Sequence, residues 1–326
     1  MKNEKLSLFL RKYILYIIMI VIGAATTCVN ARFLSINNFV NILRSVSIQG
    51  VLACGVTMIL VSGNIDLSFG SMIGLTGVII GYGGKFFQTL GMSPTPACII
   101  SILIAFAVAT VIGLINGYFV SKWKMPAMMV TVATQFLMTG LGGIISGGYP
   151  TNEFPSWFTF FGKDRIGIIP YSVLIVLVFF AVFYVILNKT KFGRTIYAVG
   201  GNAEASRLSG IDTKKYIFSV YVIMQWCAVV AGIIMSSQLM QGSHSYGGSV
   251  TFNVIAAVII GGCGMSGGTG NMKGTITGLI LLGIIQNSLT IINASEYTQY
   301  VVRAFLIIFS IWLTTVQELR ANATDK

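Results

Sequence analysis

Asp66 stands out among the residues that could do chemistry, because it is the only carboxylate between Glu4 and Glu153. It lies in the polar stretch Gly63–Ser71, between two apolar runs. Acids inside membrane segments are costly and usually face the protein interior or water, so Asp66 could supply a charge that holds a gate. Asp66 or Ser68 could instead cap the helix that the following apolar run predicts. Both interpretations stay open at this point.

No other residues form a catalytic or metal-binding pattern. The single histidine, His244, lies beside two serines with no acid nearby, so no nucleophile and base are paired, and we expect a solvated loop residue there. The five cysteines are odd in number and widely separated, which indicates neither a disulfide framework nor a metal site. The phosphate-binding pattern G-x-x-x-x-G-K-[ST] does not occur, so any ATP is bound by another protein.

A glycine-rich segment matches a nucleotide-binding pattern only superficially. Gly262–Gly267 fits G-x-G-x-x-G, but no strand–helix–strand unit surrounds it and no acid follows about 20 residues later. The longer range Gly261–Gly274 holds seven glycines between two apolar runs. Such a segment lets backbones approach closely or turn at membrane depth, which predicts an internal gate or hinge.

The elements that position these residues are transmembrane helices. The chain is 55% hydrophobic and only 9% charged, with a mean hydropathy of +0.84, which indicates a polytopic membrane protein. We predict one transmembrane domain over residues 1–326, with its membrane core at 12–320. The net charge of +12 comes from dispersed residues that flank apolar segments, as topology signals do, so no nucleic-acid partner is expected.

The predicted fold class is all-α, with about ten spans and with broken or re-entrant helices at the glycine-rich segments. Placing the N-terminus in the cytoplasm puts most Lys and Arg residues inside, and both termini are then cytoplasmic. The first span follows a basic start and is interpreted as an uncleaved helix rather than a signal peptide. The predicted spans are Tyr13–Val29, Val46–Ser62, Phe69–Gly84, Ala97–Val120, Pro126–Ser146, Gly167–Leu187, Tyr216–Ser237, Phe252–Gly262, Gly274–Asn293 and Val301–Val316.

Two of the loops between the predicted spans stand out by their composition. Residues 188–215 form a basic cytoplasmic loop in which Asn202 can cap a short helix, with Glu204 near its positive end. Another protein could push on such a helix. The outer loop 147–166 is rich in aromatic residues, which more often anchor a loop at the membrane interface than bind a ligand.

Three segments resemble the motifs of one known family. Gly63–Ser71 resembles G-G-I-D-L-S-x-G-S, Gly193–Asn202 resembles the cytoplasmic motif G-R-x-x-x-A-x-G-x-N, and Ile255–Gly262 resembles I-A-A-V-x-x-G-G. They occur in this order, and the similarity runs from about Phe33 to Trp312. The chain is identified as a member of the permease subunits of ribose-, xylose- and galactoside-type ABC importers, which lie in the bacterial inner membrane.

The resemblance implies a permease without a catalytic site that pairs with a second copy or a paralogue. A cytoplasmic ATPase subunit would hold ATP and magnesium, this chain would hold no cofactor, and an extracytoplasmic binding protein would deliver a simple sugar. The ATPase-coupling residues implied by the resemblance are Gly193, Arg194, Gly200, Gly201, Asn202, Glu204, Ala205, Arg207 and Gly210. Those implied for the translocation path or gate are Gly63, Asn64, Asp66, Ser68, Gly70, Gly261, Gly262, Gly264, Gly267 and Gly268.

The chain departs from the family pattern at two places. Asn64 replaces the second glycine of the first motif, and Thr251–Asn253 replaces an E-L-D segment before I-A-A-V, so two acids of the pattern are neutral here. One alternative is a related permease for branched-chain amino acids or nucleosides. A second is an ion-coupled secondary transporter, which usually needs more titratable groups in its spans than this chain has. An integral membrane enzyme ranks last, because no acid–base cluster is visible.

Overall fold

The computed structural model describes residues 2–302, 304–309 and 312, with side chains from residue 13 onward. Two segments of 3-10 helix occur at Ala31–Leu34 and Ser156–Phe161, and two short antiparallel strands, β1 (Arg165–Ile166) and β2 (Ile169–Pro170), form a small hairpin. Residues 296–302 and 304–309 are also helical. The named α-helices are α1 (Lys2–Val29), α2 (Ile36–Val61), α3 (Phe69–Thr89), α4 (Pro94–Ser121), α5 (Ala127–Ser146), α6 (Tyr171–Lys189), α7 (Lys191–Gly201), α8 (Ala203–Leu208), α9 (Thr213–Leu239), α10 (Gly248–Ile260) and α11 (Met272–Ile291).

Within the described residues, six helices are long and apolar enough to cross a membrane: α2, α4, α5, α6, α9 and α11. The apolar part of α1 and the whole of α10 are shorter, and the glycines of α3 lower its hydropathy. The predicted all-α, multi-pass fold is therefore confirmed, with the hairpin as a small addition. The predicted tenth span, Val301–Val316, extends outside the described residues.

Helices α2 and α9 form the centre of the bundle. The most apolar 18-residue window of α2 is 78% buried and that of α9 is 61% buried, whereas those of α5 and α6 are each 28% buried. A helix that is apolar on all sides and packed by neighbours belongs to the interior of a bundle, while a half-exposed apolar helix faces lipid. Helices α5 and α6 therefore lie at the periphery.

A glycine-lined face of α3 carries an irregular segment, residues 240–247, that links α9 to α10. Its backbone runs along α3, where a Cβ added at Gly74 would lie 2.7 Å from the carbonyl oxygen of His244. Gly242 also pairs with Thr151 through hydrogen bonds of 2.8 and 2.9 Å, which ties the segment to the outer loop. Non-helical backbone at membrane depth is tolerated only where protein shields it from lipid. The glycines of α3 let the helix approach the segment closely enough to shield it.

The position of His244 differs from the expectation of a solvated loop residue. The side chain is half-buried against α5, where a Cβ added at Gly142 would lie 3.0 Å from the Cβ of His244. Its Nδ1 is buried and has no hydrogen-bond partner. The sequence placed this histidine between helices but carried no sign that the connecting segment packs inward.

Three polar pairs connect α2 to α11 along their length. Asn38 and Asn287 exchange hydrogen bonds of 2.9 and 2.8 Å, Gln49 donates to Gln286 at 3.2 Å, and Thr57 and Thr275 are 2.7 Å apart. Hydrogen bonds between helices help to hold membrane bundles together, each by about 0.6 kcal/mol on average. This row of pairs therefore fixes the register of α11 against the central helix.

The outer loop 147–166 packs more deeply than an interfacial anchor would. Phe158 is completely buried, its ring stacks on Phe154 with 4.9 Å between centroids, and its carbonyl oxygen accepts a hydrogen bond of 2.5 Å from Ser237. Trp157 and Phe161 pack against the same core. At least this part of the aromatic cluster serves the protein interior, which corrects the expectation of an anchor at the membrane interface.

Candidate functional site

Two of the three sequence motifs meet the glycine-rich segment at one place, which we name the glycine junction: Val61–Gly63, Gly200 and Gly267–Gly268. The N–H of Gly268 donates to the carbonyl oxygen of Val61 at 2.9 Å. A Cβ at Gly200 would overlap that same oxygen, and a Cβ at Gly267 would lie 2.6 Å from the Cα of Gly63. Backbone approaches backbone directly here, which only glycine permits.

Helix α7 connects this junction to the surface. The Tyr197 hydroxyl donates to the carbonyl oxygen of Gly270 at 2.8 Å, so α7 is tied to the glycine-rich segment by a side chain as well. At its other end Thr190 caps α7 by accepting from the N–H of Gly193 at 3.1 Å, and a Cβ on Gly193 would overlap backbone oxygens of α6. Arg194 is exposed. The sequence predicted a loop over this range, whereas most of it is helical.

Helix α8 lies beyond the junction and is almost entirely exposed. Asn202 accepts from the N–H of Ala205 at 2.9 Å, which confirms the predicted cap of a short helix. Glu204 and Arg207 form an exposed ion pair, and the hydrogen bond and charge of Arg207 lower the pKa of the Glu204 carboxyl. Leu208 is 76% exposed at the end of the helix, before Gly210 turns the chain with a φ of +84°.

Asp66 belongs to a buried polar network between α3, α4, α5 and α9. Its Oδ1 accepts from the N–H of Ser68 at 2.7 Å and from the Ser68 hydroxyl at 2.5 Å, and its Oδ2 accepts from Nε2 of Gln225 at 2.8 Å. Asn116 donates to the Ser68 hydroxyl at 3.1 Å and accepts from Thr134 at 2.9 Å. Helix α3 begins at Phe69 as predicted, and the hydroxyl of Ser68 makes no capping hydrogen bond. Asp66 instead binds the N–H that comes just before the helix.

This network contains residues that the sequence motifs did not identify. Gln225 and Asn116 are completely buried, and the Tyr221 hydroxyl donates to the carbonyl oxygen of Ile65 at 3.1 Å. Buried amides and hydroxyls in apolar helices are costly unless they find partners, so their presence in α4 and α9 was itself a signal. The partner of each could not be read from the chain, because 159 residues separate Gln225 from Asp66.

The other residues implied for a gate lie apart from the network. Gly261 packs against Gly274 of α11, where an added Cβ would lie 2.6 Å from its carbonyl carbon, and Gly70 packs against residues 240–247. Gly262 is exposed, Gly264 is buried, and the Asn64 amide donates to the Ser62 carbonyl oxygen at 3.0 Å. The structure thus brings Gly63, Gly267 and Gly268 together with α7, while Gly70 and Gly261 hold helices at close range. In the part of the chain that the structure describes, no group of His, Cys, Asp and Glu could hold a metal ion.

Comparisons with known proteins identify the family of the chain. The family described as "Branched-chain amino acid transport system / permease component" matches residues 38–311, and the chain belongs to it. The ribose import permease protein RbsC of Haemophilus influenzae is 31% identical over 319 residues, which is 95% of this chain and 96% of the relative. RbsC of Escherichia coli K12 is 32% identical over 299 residues, covering 90% and 91% of the two chains. No solved structure matches the chain.

A third relative extends the match to another sugar. The galactose/methyl galactoside import permease protein MglC of Escherichia coli K12 is 28% identical over 326 residues and covers 96% of both chains. The predicted membership among permease subunits of sugar importers is confirmed. The apolar helices and these bacterial relatives also confirm a multi-pass protein of the bacterial inner membrane.

Proposed function

We propose that this chain forms the transmembrane path of an ATP-driven importer that receives a simple sugar from a binding protein. The observation that carries the proposal is the glycine junction, where α7 contacts both the end of α2 and the glycine-rich segment. A push on α7 or α8 reaches the path segments through rigid backbone contacts, which suits a subunit that converts the motion of another protein into opening. The names of the ribose and galactoside relatives support a neutral sugar as the solute.

Helix α8 is the proposed docking surface for a separate ATPase subunit. Ala205 and Leu208 are exposed beside the Glu204–Arg207 ion pair, which gives an apolar contact flanked by charge. Basic residues are concentrated in 188–215, and the positive-inside rule therefore supports a cytoplasmic position for this surface. ATP and magnesium are bound by the ATPase subunit, and this chain holds no cofactor.

The remaining partners are assigned to the outer end and to the sides of the bundle. The loop 147–166 lies at the opposite end and would receive the extracytoplasmic sugar-binding protein, while both termini would be cytoplasmic. A second copy or a paralogue would complete the path, and lipid would cover the outer helices α5 and α6, which are mostly exposed. The segments 63–70 and 261–268 would form the gate, with Asp66 holding the turn of the first segment to α9 through Gln225.

The proposal is tested by uptake in membrane vesicles that contain the whole assembly. Labelled ribose and galactose should accumulate only when ATP is supplied on the side of α8 and the binding protein on the other side. Uptake that follows a proton or sodium gradient without ATP would identify a secondary transporter instead. ATP-dependent uptake of leucine with no uptake of either sugar would favour the amino-acid branch of the family.

A further inference from the structure

An open groove of about 550 Å³ lies between α4, α6, α7 and α9, and we name it the lateral groove. Its walls are mostly aliphatic and aromatic and include Leu114, Phe192, Phe218, Val222 and Trp226. Leu114 is 46% exposed and Trp226 is 43% exposed, so the groove opens to the side of the bundle. Neither the glycine junction nor the Asp66 network contributes a residue to its lining. The groove therefore lies outside the proposed path, on a side that faces lipid.

The few polar groups in the walls of the lateral groove already use their hydrogens. The hydroxyls of Thr190 and Ser219 each donate to the carbonyl oxygen four residues earlier in the chain, at 2.6 and 2.9 Å. The indole N–H of Trp226 donates to the hydroxyl of Thr110 at 2.9 Å. No side-chain donor of the lining is left for a polar solute, so the groove suits a hydrocarbon occupant.

The length of the lateral groove matches the acyl-chain layer of one leaflet. The groove follows α9 from Phe218 to Trp226, which corresponds to about 12 Å along the helix axis. Half of a hydrocarbon core of about 30 Å is about 15 Å. Phe218 lies near the start of α9, so the groove belongs to the leaflet on the side of α7, the proposed cytoplasmic side.

Lysines surround the end of the lateral groove that lies nearest to α7. Lys189 and Lys191 come directly before and after the lining residue Thr190. Lys215 precedes the lining residue Ser219 by one helical turn. All three lysines are exposed.

A fourth lysine approaches the same end from α4. The ammonium group of Lys122 lies 4.9 Å from the ring centroid of Tyr118, and it donates to the Tyr118 hydroxyl at 3.3 Å. The ring of Tyr118 in turn contacts the ring of Phe218, with 6.4 Å between the centroids. Helices α4, α6, α7 and α9 thus each bring or adjoin a positive charge at one end of an apolar groove.

The two acids of residues 188–215 do not neutralise these lysines. Glu204 pairs with Arg207, and Asp212 caps α9 by accepting from the N–H of Lys215 at 3.3 Å. In the part of the chain that the structure describes, no ion pair includes the side chain of any of the four lysines. Their charges are therefore available to an anion from outside the chain.

We propose that the lateral groove binds an anionic phospholipid, with an acyl chain along α9 and the phosphate among the four lysines. An apolar groove that ends in unpaired cations at the membrane surface is complementary to such a lipid, and basic pockets between transmembrane helices bind acidic headgroups. Phe192 lines the groove and belongs to α7, so the lipid contacts the helix that reaches the glycine junction. The site takes no part in the proposed sugar path, and its test does not depend on which solute is carried.

The test measures lipid binding to the full-length permease in detergent by native mass spectrometry. The protein is titrated with phosphatidylglycerol, with phosphatidylcholine, and with glycerol phosphate, which carries the charge without the chains. The variants are Lys189→Gln and Lys215→Gln at the mouth and Ser219→Phe, whose ring fills the groove. The matched control is Lys273→Gln, an exposed lysine at the start of α11 that does not line the groove.

Wild-type permease should bind phosphatidylglycerol more tightly than phosphatidylcholine, and glycerol phosphate should not displace the lipid. Lys189→Gln and Lys215→Gln should each weaken binding of phosphatidylglycerol by about 5-fold, the factor that one lysine near an anionic surface contributes. Both substitutions should leave phosphatidylcholine unaffected, because that lipid carries no net charge. Ser219→Phe should weaken binding of both lipids, and Lys273→Gln should resemble the wild type.

Equal affinity for the two lipids would overturn the proposal, because the lysines would then not select the headgroup. An equal loss in Lys273→Gln would indicate diffuse attraction by the whole basic surface, and displacement by glycerol phosphate would indicate a site for free phosphate. Lipid that binds the permease alone but not the complete assembly would show that another subunit covers the groove. If Ser219→Phe does not fold, the comparison of Lys189→Gln with Lys273→Gln decides the proposal.

Discussion

Gly200→Ala is the substitution that most directly perturbs the glycine junction. The new Cβ would overlap the carbonyl oxygen of Val61 and lie 2.8 Å from the N–H nitrogen of Gly268, which are the two atoms of the hydrogen bond that joins α2 to the glycine-rich segment. Overpacking costs about 1–3 kcal/mol, and the loss of a backbone hydrogen bond costs about 0.5–1.5 kcal/mol. We therefore expect a loss of roughly 2–4 kcal/mol in the free energy of unfolding.

Gly201→Ala is the matched control, because a Cβ at Gly201 would meet only the Cα of Gly268 at 3.9 Å. Both substitutions lie at the end of α7 and change its helix propensity alike, so that contribution cancels in the comparison. The assays are thermal unfolding of the purified assembly in detergent and sugar uptake in vesicles. Gly200→Ala should lower both stability and the uptake per ATP hydrolysed, whereas Gly201→Ala should keep the wild-type stability.

Equal behaviour of the two alanine variants would refute the reasoning, because the clash exists at only one of the two positions. If the Gly200→Ala protein is less stable but keeps the wild-type ratio of sugar moved to ATP hydrolysed, the junction does not take part in coupling ATP hydrolysis to transport. The junction would then be a packing contact alone.

Three further substitutions test other parts of the structure. Asp66→Asn keeps an oxygen that accepts from the N–H of Ser68, so this variant should stay folded. Asp66→Leu leaves buried donors without partners and should lower the free energy of unfolding by several times the roughly 1 kcal/mol of a single hydrogen bond. Normal sugar uptake by the Asp66→Asn protein would exclude a gating role for the charge of Asp66. Gly74→Ala places a Cβ 2.7 Å from a backbone oxygen of residues 240–247 and should destabilise by about 1–3 kcal/mol in thermal unfolding, whereas Gly140→Ala, with no atom within 4 Å, should not. Thr57→Val removes the hydrogen bond to α11 and should cost about 0.6 kcal/mol in the same measurement, but Thr27→Val, which removes a bond within α1 only, should cost less.

Local patterns in the sequence predicted local structure well. The apolar runs located most helices, and Asn202 with Glu204 marked α8 because a cap and the residues it satisfies lie within one turn. The glycine-rich range after Gly261 was also recognised as a break. In each case the causative residues are neighbours in the chain.

The features that the sequence did not predict depend on contacts between residues that are far apart in the chain. Helix α7 lies in a range that was expected to be a basic loop between two spans, yet it is a helix whose Gly193 and Gly200 allow close contact with α6 and α2. The inward path of residues 240–247 depends on the glycine face of α3, and the role of Gln225 depends on a turn far away in the chain. Such contacts arise only when the bundle has formed.

The most direct test of the account is a crosslink between α8 and an ATPase subunit. Cys28, the exposed native cysteine of the described residues, is first replaced by serine, and a cysteine is then placed at Ala205 in the complete assembly. The account predicts that Ala205→Cys crosslinks to an ATPase subunit, while Thr89→Cys at the opposite end of the bundle does not. An assembly that transports sugar without an ATPase subunit, or equal crosslinking from both positions, would contradict it.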